Sequence, residues 1–113
     1  MHQLFAFECG PVATFTYLLC DTSARTAVMI DAPPASASVV LATASEHGCT
    51  ISDVLLTHTH WDHTADVAAV VAATGARIWV HPADQYRLTD PMSHTVWPLP
   101  FTIAPIAPDK LLE

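Results

Sequence analysis

Val54-Leu55-Leu56-Thr57-His58-Thr59-His60-Trp61-Asp62-His63-Thr64 is the stretch on which the fold of this chain turns. Three imidazoles and a carboxylate fall within six residues, directly after an apolar, strand-like segment. Imidazole nitrogen and carboxylate oxygen are the donors that zinc and related divalent ions take in hydrolytic sites. His58 and His60 are two positions apart, and extended backbone sends both side chains to one side. Both rings can then reach a single ion at roughly 2.0–2.1 Å. Asp62 and His63 stand at the turn into a helix and point from a different origin. They suit a second ion, or Asp62 suits a base. Paired metals about 3.5–4 Å apart acidify a water and clamp the attacking and leaving oxygens. An isolated H-x-H is common by chance, whereas H-x-H-x-D-H between strand and helix is specific.

The segments around this motif alternate between strand and helix. Residues 3–7 and 14–20 are apolar, aromatic and β-branched, and Gly10-Pro11 separates them. Asp21-Thr22-Ser23 turns the chain into a third strand, 26–30, which ends at Asp31. These three segments predict an antiparallel meander. Ala32-Pro33-Pro34 turns again, and Ser36 or Ser38 is placed to cap a helix that runs to about His47, with Gly48 beyond its end. A strand over 51–56 leads into the histidine cluster. Helix is expected over 64–74, stopped by Gly75, then a strand over 77–80 and a further helix over 82–88 that begins at Pro82. Strand, helix, strand, helix, strand is the rhythm of a layered α/β fold with parallel strands. From 90 onward, Pro91, Pro98, Pro100, Pro105 and Pro108 exclude regular helix, so 90–113 reads as a proline-rich extended tail.

Composition narrows the function. With 113 residues, 51% of them hydrophobic, one small domain with a real core is expected. Eleven acidic against four basic residues give a net charge of -7. That balance argues against nucleic acid, whose phosphates demand clustered Lys and Arg, and against an anionic membrane surface. No apolar run reaches membrane-spanning length, and Met1-His2-Gln3-Leu4 carries no secretory pattern. Cys9, Cys20 and Cys49 form no C-x-x-C pair and read as buried free thiols. Cytoplasmic location is the expectation that follows. His47 fits a favourable contact with its helix dipole, and His2 is expected to be disordered.

The run Leu55 to Thr64 resembles the signature of the metallo-β-lactamase superfamily, and within it the glyoxalase II-like hydrolases. Val28-Met29-Ile30-Asp31 is similar to that family's strand ending in an aspartate near the metal site. Ile78-Trp79-Val80-His81-Pro82-Ala83-Asp84 resembles the strand and turn after its second helix. The resemblance covers most of 12–88. It implies an αββα sandwich, represented here by its N-terminal half: a mixed sheet with flanking helices. By position, His58 and His60 would bind the first metal, and Asp62 and His63 the second. Asp31 would orient a ligand from outside the metal's own shell. Zinc, two ions in the complete domain, is the implied cofactor, with iron or manganese as alternatives.

The implied activity is hydrolysis of a thioester, ester or lactam of a small molecule by a metal-bound hydroxide. The family's remaining ligands lie beyond the matched region, in a Gly-His-Thr-like turn and later loops, and this chain contains no Gly-His pair. Two other readings therefore stand beside the hydrolase. One is a catalytically incomplete half-domain that binds metal weakly. The other is a homodimer in which two halves face each other. His81 and His94 are the local candidates to replace missing ligands; lining the cleft and solvated loop, respectively, are their simpler roles.

Overall fold

The computed structural model describes residues 2–11, 14–57, 61–80 and 108–111, with backbone alone for 61, 62, 110 and 111. Among the described residues six strands form one mixed sheet in chain order: β1 (His2–Cys9), β2 (Thr14–Asp21), β3 (Thr26–Ile30), β4 (Thr50–Leu55), β5 (Arg77–Val80) and β6 (Lys110–Leu111). The first three pair antiparallel as the expected meander, with Leu4 opposite Leu19 and Leu18 opposite Met29. From β3 onward all neighbours are parallel. Parallel neighbours need crossovers, and helices supply them. Helix α1 (Ser36–Glu46) links β3 to β4, and α2 (Trp61–Thr64) with α3 (Val67–Thr74) links β4 to β5.

Strict alternation sorts β2 into two faces. Thr14, Thr16, Leu18 and Cys20 are buried, while Phe15, Tyr17 and Leu19 are exposed. The buried row continues through Ala27 and Met29 of β3, Ile51 and Val54 of β4, and Ile78 and Val80 of β5. Helices α1 and α3 pack on this side and touch each other. α1 contributes Val40 and Ala44, and α3 contributes Val67 and Val70. Each large apolar side chain sealed in this layer stabilises by about 1.5–3 kcal/mol. The opposite face exposes Leu4 (65%), Phe15 (48%) and Leu19 (38%), so one side of the sheet carries the core and the other an apolar surface.

The register slips between Ala27 and Val28, where Ser52 is the extra residue of β4. The slip aligns Val28 with Asp53 and Ile30 with Leu55. As a result the carboxyl ends of β3 and β4 finish side by side, and Asp31 and Thr57 emerge next to each other.

Four sequence expectations need correction. Helix over 64–74 is broken into α2 and α3 by a turn at Ala65-Asp66. The Asp66 N–H leaves the helical pattern to bond the Ala32 carbonyl at 2.9 Å, which sets the break. Neither Ser36 nor Ser38 caps α1: the N-cap is Ala35, with φ 66°, and Ser36 is the first helical residue. The Ser36 hydroxyl donates instead to the Pro33 carbonyl at 2.6 Å. His2 is not disordered; it opens β1 and lies 3.6 Å from the Asp21 carboxylate. Cys20 and Cys49 are buried free thiols, but Cys9 is only half-buried.

Other expectations hold. β3 and β5 have the expected bounds, and Gly48 (φ 68°) and Gly75 (φ 69°) follow their helices in the left-handed conformation. His47 ends α1, its Nδ1 2.9 Å from the Thr43 carbonyl, its ring 4.7 Å from that of Phe5. The expected helix over 82–88, His81, His94 and most of the tail lie outside the described residues; 108–111 supply Asp109 and β6. No described helix is long and apolar enough to cross a membrane.

Candidate metal centre

The candidate centre lies where β3 and β4 end, the edge of an open α/β sheet at which ligands bind. Asp31 is its hub. At Ile30 the β3 ladder stops, and Asp31 takes a left-handed backbone, φ 63°. That conformation costs a non-glycine residue roughly 1–2 kcal/mol, and aspartate tolerates it better than most. The Asp31 N–H donates to the Leu55 carbonyl at 2.8 Å, which joins the turn to β4. Its own carbonyl accepts from the Thr16 hydroxyl at 2.7 Å.

With the backbone held there, the carboxylate is buried and gathers donors from beyond β4. Oδ1 accepts the Thr57 N–H at 2.8 Å, and Oδ2 accepts the Thr57 hydroxyl at 2.6 Å. Oδ2 also lies 2.9 Å from His63 Nδ1. A carboxylate between such partners can only accept, so Nδ1 carries the proton. In the neutral ring the lone pair then belongs to Nε2, the nitrogen through which a metal ion would bind.

The backbone around His63 is fixed as well. The Ala32 N–H donates to the His63 carbonyl at 2.7 Å, and the Ala32 carbonyl accepts from Asp66. Asp66 Oδ2 accepts the Ala37 N–H at 2.9 Å, near the start of α1. Ala35 has no side-chain acceptor, so Asp66, from the cap of α3, serves the neighbouring helix. Sequence reading missed Asp66 and Thr16. An aspartate opening an apolar helix is a visible cap signal, but nothing in sequence shows that it caps another helix.

Of the residues singled out by sequence, the structure joins Asp31 to His63. His58, His60 and the side chains of Trp61 and Asp62 lie outside the described residues. Among the described residues no group of three or more His, Cys, Asp or Glu side chains forms a metal cluster. The donor set nevertheless suits zinc at one point: the His63 ring is oriented through Nδ1 by a carboxylate partner, the arrangement that zinc-binding histidines favour. Cys9 is not an activated nucleophile. Burial, then the charges of Asp66 and Glu8, push its thiol above the usual range.

A second carboxylate, Asp53, belongs to the exposed sheet face. It accepts from Trp79 Nε1 and Arg77 Nε at 3.0 Å each and from the Ser52 hydroxyl at 2.8 Å. Burial pushes its carboxyl up, but the bonds from Trp79, Ser52 and Arg77 outweigh it and the net shift is downward.

Residues 9–113 match the family model of the metallo-beta-lactamase superfamily. A hydroxyacylglutathione hydrolase of Jannaschia sp. (strain CCS1) is 42% identical over 82 residues, which are 73% of this chain and 31% of that enzyme. One of Fuscovulum blasticum is 39% identical over the same length. Among solved structures, BLEG-1 B3 metallo-beta-lactamase superposes with a TM-score of 0.82 at 27% identity, covering 98% of this chain and 53% of that one. ETHE1 from Myxococcus xanthus gives 0.62 at 28% identity, over 68% of this chain and 34% of that one. The chain thus spans about a third of its hydrolase relatives and half of the lactamase, corresponding to the N-terminal half of the sandwich. It belongs to the metallo-β-lactamase superfamily.

Proposed function

We propose that this chain carries the first metal-ligand half of a zinc-dependent hydrolase acting on a thioester, with an S-acyl glutathione as the substrate class. The observation that carries the reading is the hydrogen bond from His63 Nδ1 to the buried Asp31 carboxylate. It supports an Nδ1–H tautomer that leaves Nε2 for a metal ion, within an H-x-H-x-D-H run. The thioester assignment is supported by the hydroxyacylglutathione hydrolase relatives. His58, His60, Asp62 and His63 are the proposed ligands, and Asp62 is also the proposed base. Bound zinc would supply a water of lowered pKa and polarise the carbonyl. Asp31 and Thr57 would hold the His63 ring in place.

The test is hydrolysis of an S-acyl glutathione by the purified chain. Hydrolysis abolished by a chelator and restored by zinc is the expected result. A rate indifferent to chelation contradicts the reading. One second reading stands beside it, a half-domain that binds zinc without turnover. Zinc binding with no hydrolysis at any metal loading selects it.

A further inference from the structure

We infer that Thr16 is a positioning residue that acts through Asp31 on His63. Thr16 sits in the buried row of β2 between Thr14 and Leu18, fully excluded from solvent. Its neighbour Tyr17 pairs with Ile30, the last residue of β3. Continued by one step, that register would pair Thr16 with Asp31. The ladder does not continue, because Asp31 turns left-handed. The Thr16 hydroxyl takes over from the missing backbone donor. It donates to the Asp31 carbonyl at 2.7 Å and lies 3.2 Å from that of Ile30.

The bond matters for the site because Asp31 is strained. A left-handed aspartate relaxes to ordinary backbone when its peptide groups are released. Two bonds oppose that relaxation: the Asp31 N–H to Leu55, and the Thr16 hydroxyl to the Asp31 carbonyl. The first ties Asp31 to β4; the second ties it to β2. Rotation of this backbone would swing the carboxylate away from His63. An apolar side chain of equal volume would fill the space but leave the carbonyl without its donor.

The inference rests on the reading of His63 as a ligand, but the hydrogen-bond chain can be tested without metal. The experiment compares wild type, Thr16→Val and Thr16→Ser by nitrogen-edited NMR of the metal-free protein, followed by zinc titration. In wild type and Thr16→Ser the His63 Nδ1–H proton exchanges slowly with solvent. In Thr16→Val that protection is lost while the amides of β4 and β5 stay protected, and zinc affinity falls about tenfold. In an Asp31→Ala background, Thr16→Val changes zinc affinity no further. Thr16→Ala and Thr16→Cys carry the same comparison if the valine variant does not fold. Unchanged Nδ1–H protection in a folded variant lacking the hydroxyl overturns the inference. Failure of wild type to bind zinc removes the ligand reading of His63 instead, and the proton measurement still decides the role of Thr16.

Discussion

Asp31 and His63 stand thirty-two residues apart in sequence and 2.9 Å apart in space, carboxylate to Nδ1. The contact depends on where β3 and β4 stop. The left-handed turn at Asp31 aims its carboxylate across the end of β4, and α2 brings His63 back over that end. Exchange of the Ala32 N–H and carbonyl with His63 and Asp66 keeps the two segments in register.

Replacing Asp31 separates its two roles. Asp31→Asn keeps a side chain that tolerates the left-handed backbone and can still bond Thr57, but it removes the charge facing His63. Zinc affinity is expected to fall about 10–100-fold, with stability changed by about 1 kcal/mol. Asp31→Ala also removes the acceptor that Thr57 and His63 share and places alanine in a strained turn, and about 3 kcal/mol of stability should go. Isothermal titration with zinc and denaturant unfolding read the two effects separately.

Asp66 offers a test of how the helices are joined. Its carboxylate caps α1, although it stands at the start of α3. Asp66→Ala should cost about 1 kcal/mol in urea unfolding, whereas Asp66→Asn keeps an acceptor and most of that stability. Equal losses in both variants would show that charge, not capping, is what Asp66 contributes.

Much of this fold is legible in the sequence because its periodicities are local. β2 alternates cleanly, β3 carries the apolar run Ala27–Ile30 before Asp31, and Gly48 and Gly75 mark helix ends. The break at Ala65-Asp66 is not local. The apolar run after His63 has ordinary helical composition, and the bond that interrupts it goes to Ala32, distant in sequence. Thr16 was hidden for a similar reason. Alternation assigns it to the core row, and only the folded turn at Asp31 reveals what its hydroxyl serves. His58, His60, Asp62 and His63 stand out by composition alone. The resemblance already implies that Asp31 orients one of these side chains, and only the fold shows that its partner is His63.

Acidification should reveal Asp53. Its folded-state carboxyl titrates below its ordinary value because the bonds from Trp79, Ser52 and Arg77 outweigh burial. Folding therefore binds fewer protons at this group, and its contribution is complete above the unfolded pKa of about 4. The contribution drains away as pH falls through the lower folded value. Wild type should thus exceed Asp53→Asn in stability at pH 6, and the gap should narrow as pH falls below the ordinary carboxylate range. Urea midpoints across that range measure it. A gap that persists to low pH would contradict the assignment.

Met29 tests the layer that supports the site. It is fully buried near the end of β3, two residues before Asp31. Met29→Ala should cost about 2–5 kcal/mol from lost burial and the cavity left behind. Thermal unfolding of the metal-free variant would show it, and a loss below 1 kcal/mol would mean that the core closes over the gap.

The central claim is that the motif ending at His63 binds a metal ion, and metal content per chain tests it most directly. Elemental analysis would be made on wild type and His63→Ala after zinc loading and removal of free ion. The account predicts at least one zinc ion retained per wild-type chain and a clear loss in His63→Ala. Zinc-free wild type, or equal zinc in both proteins, would contradict it.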